Sequence, residues 1–187
     1  MFFQDETLQS EVEKMNWAGR SRDYSSDYLM LLDANLNSLK SDICIKRKID
    51  YNVDLKADQP QAVLNLSYEH TCRARDWMTT NYNDWARVFV PADSWITQSS
   101  VPPEELRFGD ELGKKVFGFP IYVPIGQIES ITLKYNLPQA LKNRPYSLLV
   151  QKQSGSGEVP IRVSVKEADG TVTEANEILA GDKEFSF

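Results

Sequence analysis

Hydrophobic and polar residues alternate along most of this chain, the pattern of β-strands with one buried face. Between residues 43 and 55 every odd position is apolar except Arg47, and between 62 and 69 the even positions are apolar. The polar segment at 56–60 predicts a turn, so these two runs should pair as an antiparallel hairpin. Further strands are predicted at 28–32, 85–90, 116–123, 131–137, 146–152, 161–165 and 171–173.

About nine short strands separated by turn signals, with no β-α-β alternation, predict a mainly β fold. The expected architecture is an antiparallel β-sandwich of the immunoglobulin or fibronectin type. Its core should contain the apolar members of the alternating runs. These are Ile45, Ile49, Tyr51, Leu64, Leu66, Val88, Ile131, Leu133, Tyr135, Ile161 and Val163.

A short helix is predicted before the first strand. Asp5 is a suitable N-cap, and Leu8, Val12 and Met15 form an apolar stripe at helical spacing. We expect residues 1–19 to form this helix, packed through the stripe, with Trp17 as a further contact, on a β-sandwich domain at 20–187. A stripe this short must be stabilised by packing.

Composition places the chain among ordinary globular proteins. It has 187 residues, of which 41% are hydrophobic and 26% charged, and no run approaches the ~20 apolar residues of a membrane span. The net charge of −6 argues against nucleic acid as a partner. The charge is uneven, because residues 1–18 sum to −3 and residues 158–187 to −4, which leaves +1 for the rest.

Two groups of side chains are candidates for binding. The first is a basic cluster that comprises Lys46, Arg47, Lys48, Arg73 and Arg75. Such a cluster is usually a solvated strand face, and it becomes a candidate for binding anions only if its charges are unpaired. The register predicts that Lys46 and Lys48 share their face with Glu69. The second group is aromatic and comprises Trp77, Tyr82 and Trp95. Their rings could stack on sugars, or they could instead anchor the core and the loops.

The cysteines and the lone histidine predict no metal site. With odd positions inward in one strand and even positions inward in the next, Cys44 and Cys72 should point to opposite faces. We therefore expect two free thiols, and only a bulge would bring them together. Two cysteines and His70 are too few ligands for structural zinc.

Motifs for catalysis or cofactor binding are missing from the sequence. A calcium loop could begin at Asp33, but the required glycine and glutamate do not follow. There is no phosphate-binding loop, dinucleotide fingerprint or nucleophile elbow. We therefore predict no catalytic residue, no cofactor and no enzymatic activity.

Three stretches together resemble the C-terminal half of a bacterial family called domain of unknown function 4012, and they cover nearly the whole chain. They are "GR…DYLMLLDANLNSLKSD" at 19–42, "VFGFPIYVPIGQIESITLKYNLP" at 116–138 and "YSLLVQKQSG" at 146–155. Family members are similar in being large proteins with an N-terminal membrane span and an external remainder. The resemblance implies a membrane anchor upstream and a location on the extracellular face of the membrane. It carries over no site residue.

These observations leave three hypotheses for function. The first is a non-catalytic extracellular module of a membrane-anchored bacterial surface protein, acting in adhesion or envelope assembly. The second is a carbohydrate-binding module that uses Trp77, Tyr82 and Trp95, and the third is an accessory domain of an envelope-polymer enzyme. The expected partner is a cell-envelope polysaccharide or another surface protein. Exposure of the tryptophans separates the first two, and a long acidic cleft would favour the third.

Overall fold

The computed structural model describes residues 2–15, 18–37, 39–142 and 144–187. These residues form one α-helix, two short 3-10 helices at Ser41–Cys44 and Gln139–Leu141, and twelve strands. The elements are α1 (Glu6–Lys14), β1 (Asp27–Asn35), β2 (Ile45–Asp54), β3 (Gln61–His70), β4 (Tyr82–Pro91), β5 (Trp95–Ser99), β6 (Arg107–Glu111), β7 (Lys114–Val123), β8 (Ile128–Asn136), β9 (Ser147–Gln151), β10 (Val159–Lys166), β11 (Val172–Leu179) and β12 (Lys183–Ser186).

The strands form two six-stranded sheets, which confirms the predicted β-sandwich with a short N-terminal helix. The orders are β12-β9-β1-β4-β7-β6 and β11-β10-β2-β3-β8-β5. Neither sheet is purely antiparallel, because β1 pairs in parallel with β9 and β2 with β10. Parallel neighbours need a long connection, and both β9 and β10 return to their sheets far along the chain rather than through a hairpin.

The core lies between the sheets where the alternating pattern predicts it. In the β2–β3 hairpin Ile49 pairs with Leu66 and Tyr51 with Leu64, in the predicted odd-to-even register. All eleven predicted core residues are buried. Tyr135 and Phe117 meet across the two sheets with ring centroids 5.5 Å apart. The hydrophobic periodicity therefore identified the inward face of β2, β3, β4, β8 and β10.

Helix α1 begins as predicted but packs differently. The Asp5 carboxylate accepts a hydrogen bond from the Leu8 backbone N–H at 2.9 Å, which satisfies the N-cap. Val12 is buried, whereas Leu8 and Met15 are each about half exposed. The prediction that the whole stripe docks is therefore wrong, since only its middle residue is covered. Trp17 lies outside the described residues.

Candidate functional site

One end of the sandwich collects features that lie far apart in the sequence. β1 and β3 finish there at Asn35 and His70, and β2 begins there at Ile45. A disulfide between Cys44 and Cys72 joins the chain just before β2 to the chain just after β3. We call this region the disulfide end.

The prediction that Cys44 and Cys72 are free thiols is wrong. The register itself is as predicted, because Ile45 pairs with His70. However, Cys44 is the last residue of a 3-10 helix and Cys72 lies beyond the end of β3, so the alternation of strand faces applies to neither. Their Cα atoms are 5.4 Å apart, a normal separation for a disulfide.

The disulfide anchors the loop that connects β3 to β4, residues 71–81, here called the Trp77 loop. Inside it, Asp76 Oδ1 accepts hydrogen bonds from the backbone N–H groups of Met78 and Thr79 at 2.8 and 2.7 Å, and from Thr79 Oγ1 at 2.8 Å. These bonds hold the pKa of Asp76 below its usual value, and the bond from the Thr79 hydroxyl has the largest effect. The loop therefore has a fixed internal turn.

The Trp77 loop is also held from outside by the segment before β2. Ser41 Oγ donates to the Thr80 carbonyl at 2.9 Å and accepts from the Thr80 N–H at 3.1 Å. The Lys40 N–H donates to the Met78 carbonyl at 2.8 Å. With the disulfide at one end and these bonds at the other, the loop is anchored at both ends.

This anchored loop presents a large aromatic ring to solvent. Trp77 is 84% exposed, and Arg73 and Arg75, on the same loop, are exposed as well. Within the described residues neither arginine forms an ion pair, whereas most other arginines do. The loop thus offers one apolar ring and two uncompensated positive charges.

Further apolar side chains are exposed at the disulfide end. They belong to the loops and strand ends around the Trp77 loop and are Leu36, Ile43, Tyr122 and Ile128. An open groove of about 410 Å³ lies beside the disulfide, lined by Ile43, Ile45, Arg47 and the 153–157 turn. Exposed apolar side chains that form one contiguous patch are typical of an interaction site.

The predicted sugar-stacking surface of Trp77, Tyr82 and Trp95 does not exist as one surface. Tyr82 is fully buried in the core. Trp95 is exposed but pairs with Asn136, which in turn pairs with Gln61, the first residue of β3. The Trp77 loop follows the last residue of β3, so Trp95 lies at the other end of a strand about 30 Å long. Of these three predicted residues, only Trp77 has its ring exposed at the disulfide end.

The predicted basic cluster is also divided. Lys46 lies directly opposite Glu69, as predicted, and Lys48 lies opposite Ser67. Arg47, between them, points inward and is nearly buried. Both lysines are exposed, and within the described residues neither they nor the loop residues Arg73 and Arg75 form an ion pair, so Arg47 is the one member of the cluster whose charge is neutralised.

Arg47 is the centre of a buried polar cluster beneath the disulfide end. Its Nε donates to Asp33, and its guanidinium also donates to Tyr82 Oη at 2.9 Å. Tyr68 Oη donates to the second oxygen of Asp33 at 2.9 Å. The two tyrosine rings lie within 6 Å of the guanidinium carbon, close enough for cation–π attraction. The buried ion pair is thus enclosed by hydrogen bonds, as such pairs must be.

Asp84 is the unusual member of this cluster. It is buried, and neither of its oxygens has a hydrogen-bond partner among the described residues. Asp33 lies on the neighbouring strand opposite Ala86, so the two carboxyl groups are diagonal neighbours on the same inward face. Burial, and then the negative charge of Asp33, raise the pKa of Asp84 to about 8. The raised pKa favours the protonated form of Asp84, which limits the repulsion between its carboxyl group and that of Asp33.

A second groove lies at the opposite end of the sandwich. It has a volume of about 660 Å³ and is lined by residues that include Tyr28, Lys114 and Arg144. The Lys114 ammonium lies 4.4 Å from the centroid of the Tyr28 ring. This cation therefore already has an aromatic partner, and no exposed tryptophan lines the groove.

Comparisons with known proteins add little to this geometry. No family model and no curated protein matches the chain. The solved structure of a candidate nutrient-binding protein from Legionella pneumophila is similar over 73% of this chain and 54% of its own, with 9% identity and a TM-score of 0.41. This chain thus spans about half the length of that protein, and a likeness at this level carries no argument about function. In the part of the chain that the structure describes, no helix is long and apolar enough to cross a membrane.

Proposed function

We propose that this chain is a non-catalytic binding module of a membrane-anchored bacterial surface protein, and that it binds an anionic envelope polysaccharide through the Trp77 loop. The observation that carries the proposal is the exposure of Trp77, 84%, on a loop fixed by a disulfide and by hydrogen bonds at both ends. A ring held in solvent by a rigid loop has no structural role in the core. The free-energy cost of exposing the Trp77 ring to water is offset when a partner covers the ring.

The side chains on the loop favour a ligand that is both planar and negatively charged. The face of an indole suits the apolar face of a sugar ring. A guanidinium binds carboxylate or phosphate groups through two parallel hydrogen bonds. Arg73 and Arg75 are free for this because no acid within the described residues neutralises them. The acidic segments at 1–18 and 158–187 account for the negative net charge, so the total of −6 does not contradict local attraction of an anion.

The anchoring also favours binding over flexible linkage. A loop that is ordered before it meets its ligand loses little conformational entropy on binding. The buried cluster around Arg47 supports the same surface from below, because Tyr82 is the first residue of β4 and Tyr68 lies near the end of β3. The location on the cell surface and the upstream anchor rest on the resemblance to the family named above. Adhesion or envelope assembly would be the role of such binding.

Retention on immobilised polysaccharide tests the proposal. The wild-type chain should be retained on polygalacturonate and not on neutral dextran, and retention should weaken steeply as salt screens the charges. Trp77→Ala and the double variant Arg73→Gln/Arg75→Gln should each reduce retention by about tenfold or more. Trp95→Ala removes an exposed tryptophan from the opposite end and serves as the matched control, with retention unchanged. Equal retention of the wild type on both polymers at every salt concentration would contradict the proposal.

A further inference from the structure

Three groups that can bind soft metal ions meet at the base of the Trp77 loop. Each contributes one atom, and the Cys44 Sγ, the Cys72 Sγ and a His70 ring nitrogen all lie within 4.8 Å of one another. From the sequence, two cysteines on opposite faces and one histidine are too few ligands for structural zinc, whereas the structure brings all three residues together. The register does so, because His70 ends β3 opposite Ile45 and both cysteines flank that pair.

The hydrogen bonding of His70 identifies the nitrogen that is free to bind. Nε2 lies 2.9 Å from the carbonyl oxygen of Thr80. A carbonyl only accepts, so Nε2 carries a proton, and in the neutral imidazole Nδ1 then carries the lone pair. His70 is 1% exposed, and among the described residues no donor reaches Nδ1. A histidine that ligates a metal ion commonly has this arrangement, with its other ring N–H given to a backbone carbonyl.

The disulfide leaves this lone pair unused. Bonded to each other, the two sulfur atoms offer neither a thiol proton nor a thiolate to Nδ1, and a buried acceptor without a partner costs free energy. Reduction changes the chemistry of the same three atoms. It supplies two thiolates beside a neutral imidazole, a donor set that suits zinc.

We propose that the reduced form of this protein binds one Zn²⁺ ion through Cys44 Sγ, Cys72 Sγ and His70 Nδ1. Two electrons from a small thiol reductant cleave the disulfide, giving two protein thiols and one disulfide of the reductant. Zn²⁺ then displaces the two thiol protons. Cys72 is partly exposed, so a water molecule from solvent can complete the four ligands.

The site would keep the Trp77 loop tied to the start of β2 under reducing conditions. The disulfide holds Cys72 to Cys44 when the protein is oxidised, and the metal ion would do so when it is reduced. The inference is independent of the ligand proposed above, because it concerns only how the loop is anchored. Failure of polysaccharide binding would therefore leave it standing.

Cobalt titration of the full chain tests the site. After reduction with dithiothreitol and removal of the reductant without oxygen, Co²⁺ should bind in a 1:1 ratio and give the thiolate-to-cobalt charge-transfer band, and Zn²⁺ should abolish that band. Oxidised protein should give no band. His70→Gln should weaken Co²⁺ binding by more than about 100-fold, since second-shell groups alone contribute roughly 10–100-fold. His70→Cys, which restores a third ligand, should recover it.

The titration has clear contrary outcomes. A reduced wild-type chain that gives no band, or that unfolds on reduction, overturns the proposal. So does equal Co²⁺ affinity in the wild type and His70→Gln, because the thiols alone would then be binding. If His70→Gln does not fold, the wild type decides the question through its thermal midpoint, which should rise with added Zn²⁺ only after reduction.

Discussion

Arg47 occupies an inward-facing position of β2 between Ile45 and Ile49, where an aliphatic side chain would be expected. The structure accommodates it because Asp33 neutralises the guanidinium and Tyr82 accepts one of its hydrogen bonds. The break in alternation at residue 47 is visible in the sequence. Its partner is not, because Asp33 belongs to the other sheet and strand periodicity does not encode contacts between sheets.

The raised pKa of Asp84 predicts that the stability of the protein depends on pH. Its pKa is raised from 3.8 to about 8 in the folded protein, so between those values the folded state binds a proton that the unfolded state does not. The free energy of unfolding should therefore fall as pH rises through this interval, by at most about 1.4 kcal/mol per pH unit. Asp84→Asn keeps the shape without the charge and should flatten the curve.

Urea unfolding at pH 6 and pH 8 measures this effect. Asp27, whose pKa is raised to about 6 chiefly by burial, contributes mostly below that range, and the comparison with Asp84→Asn removes what other groups contribute. The free energy of unfolding of the wild type should fall between pH 6 and pH 8 by more than that of Asp84→Asn. Parallel curves for the two proteins would show that Asp84 is already ionised at pH 6.

At the scale of elements, the central strands could be predicted and several edge strands could not. The strands without a prediction, β5, β6 and β12, all lie at the edges of their sheets. Edge strands here are short and largely exposed, so they carry little alternation of apolar and polar residues. Gly118 and Pro120 in the 116–123 run favour an edge strand or a bulge, yet β7 lies inside the sheet between β4 and β6. On the β6 side the ladder ends at Gly118, so that neighbour requires no hydrogen bond from Pro120, which pairs only with Trp85 of β4.

The partial docking of α1 gives a matched pair of substitutions. Val12 is the buried member of the stripe and Leu8 is half exposed. Val12→Ala should lower the free energy of unfolding by about 1–2 kcal/mol, from lost burial of its methyl groups. Leu8→Ala should change it by less than about 0.5 kcal/mol. Thermal or urea unfolding of both variants decides this, and a larger effect at Leu8 would mean that the whole stripe is packed.

The disulfide should stabilise the fold without being required for it. It joins residues 28 apart, and closing a loop of that size in the unfolded chain corresponds to about 3–4 kcal/mol. Cys44→Ser/Cys72→Ser should lower the free energy of unfolding by about this amount, measured with urea in the absence of metal ions. The variant should remain folded, since the core between the sheets does not include the cysteine pair. Loss of the folded state would show that the disulfide end organises the sandwich.

At the scale of the whole molecule, the two ends of the sandwich differ in what they offer to a partner. The disulfide end has an anchored loop with Trp77 and two unpaired arginines, whereas the opposite end has the groove beside Lys114. Composition and periodicity predicted the sandwich that separates these ends. Composition and periodicity did not predict which loops lie together. The placement of the loops depends on the register at the strand ends and on a disulfide that lies beyond the paired residues of β2 and β3. That is why Trp77 and Trp95, close in sequence, are far apart in space.

The most direct measurement is therefore a map of the binding surface on the intact protein. Amide chemical shifts of the ¹⁵N-labelled chain would be followed by NMR during titration with an oligogalacturonate. The account predicts shifts concentrated at residues 71–81 and at the neighbouring ends of β1 and β8, together with the indole N–H of Trp77. Shifts confined to the groove around Tyr28, Lys114 and Arg144, or to Trp95, would contradict it.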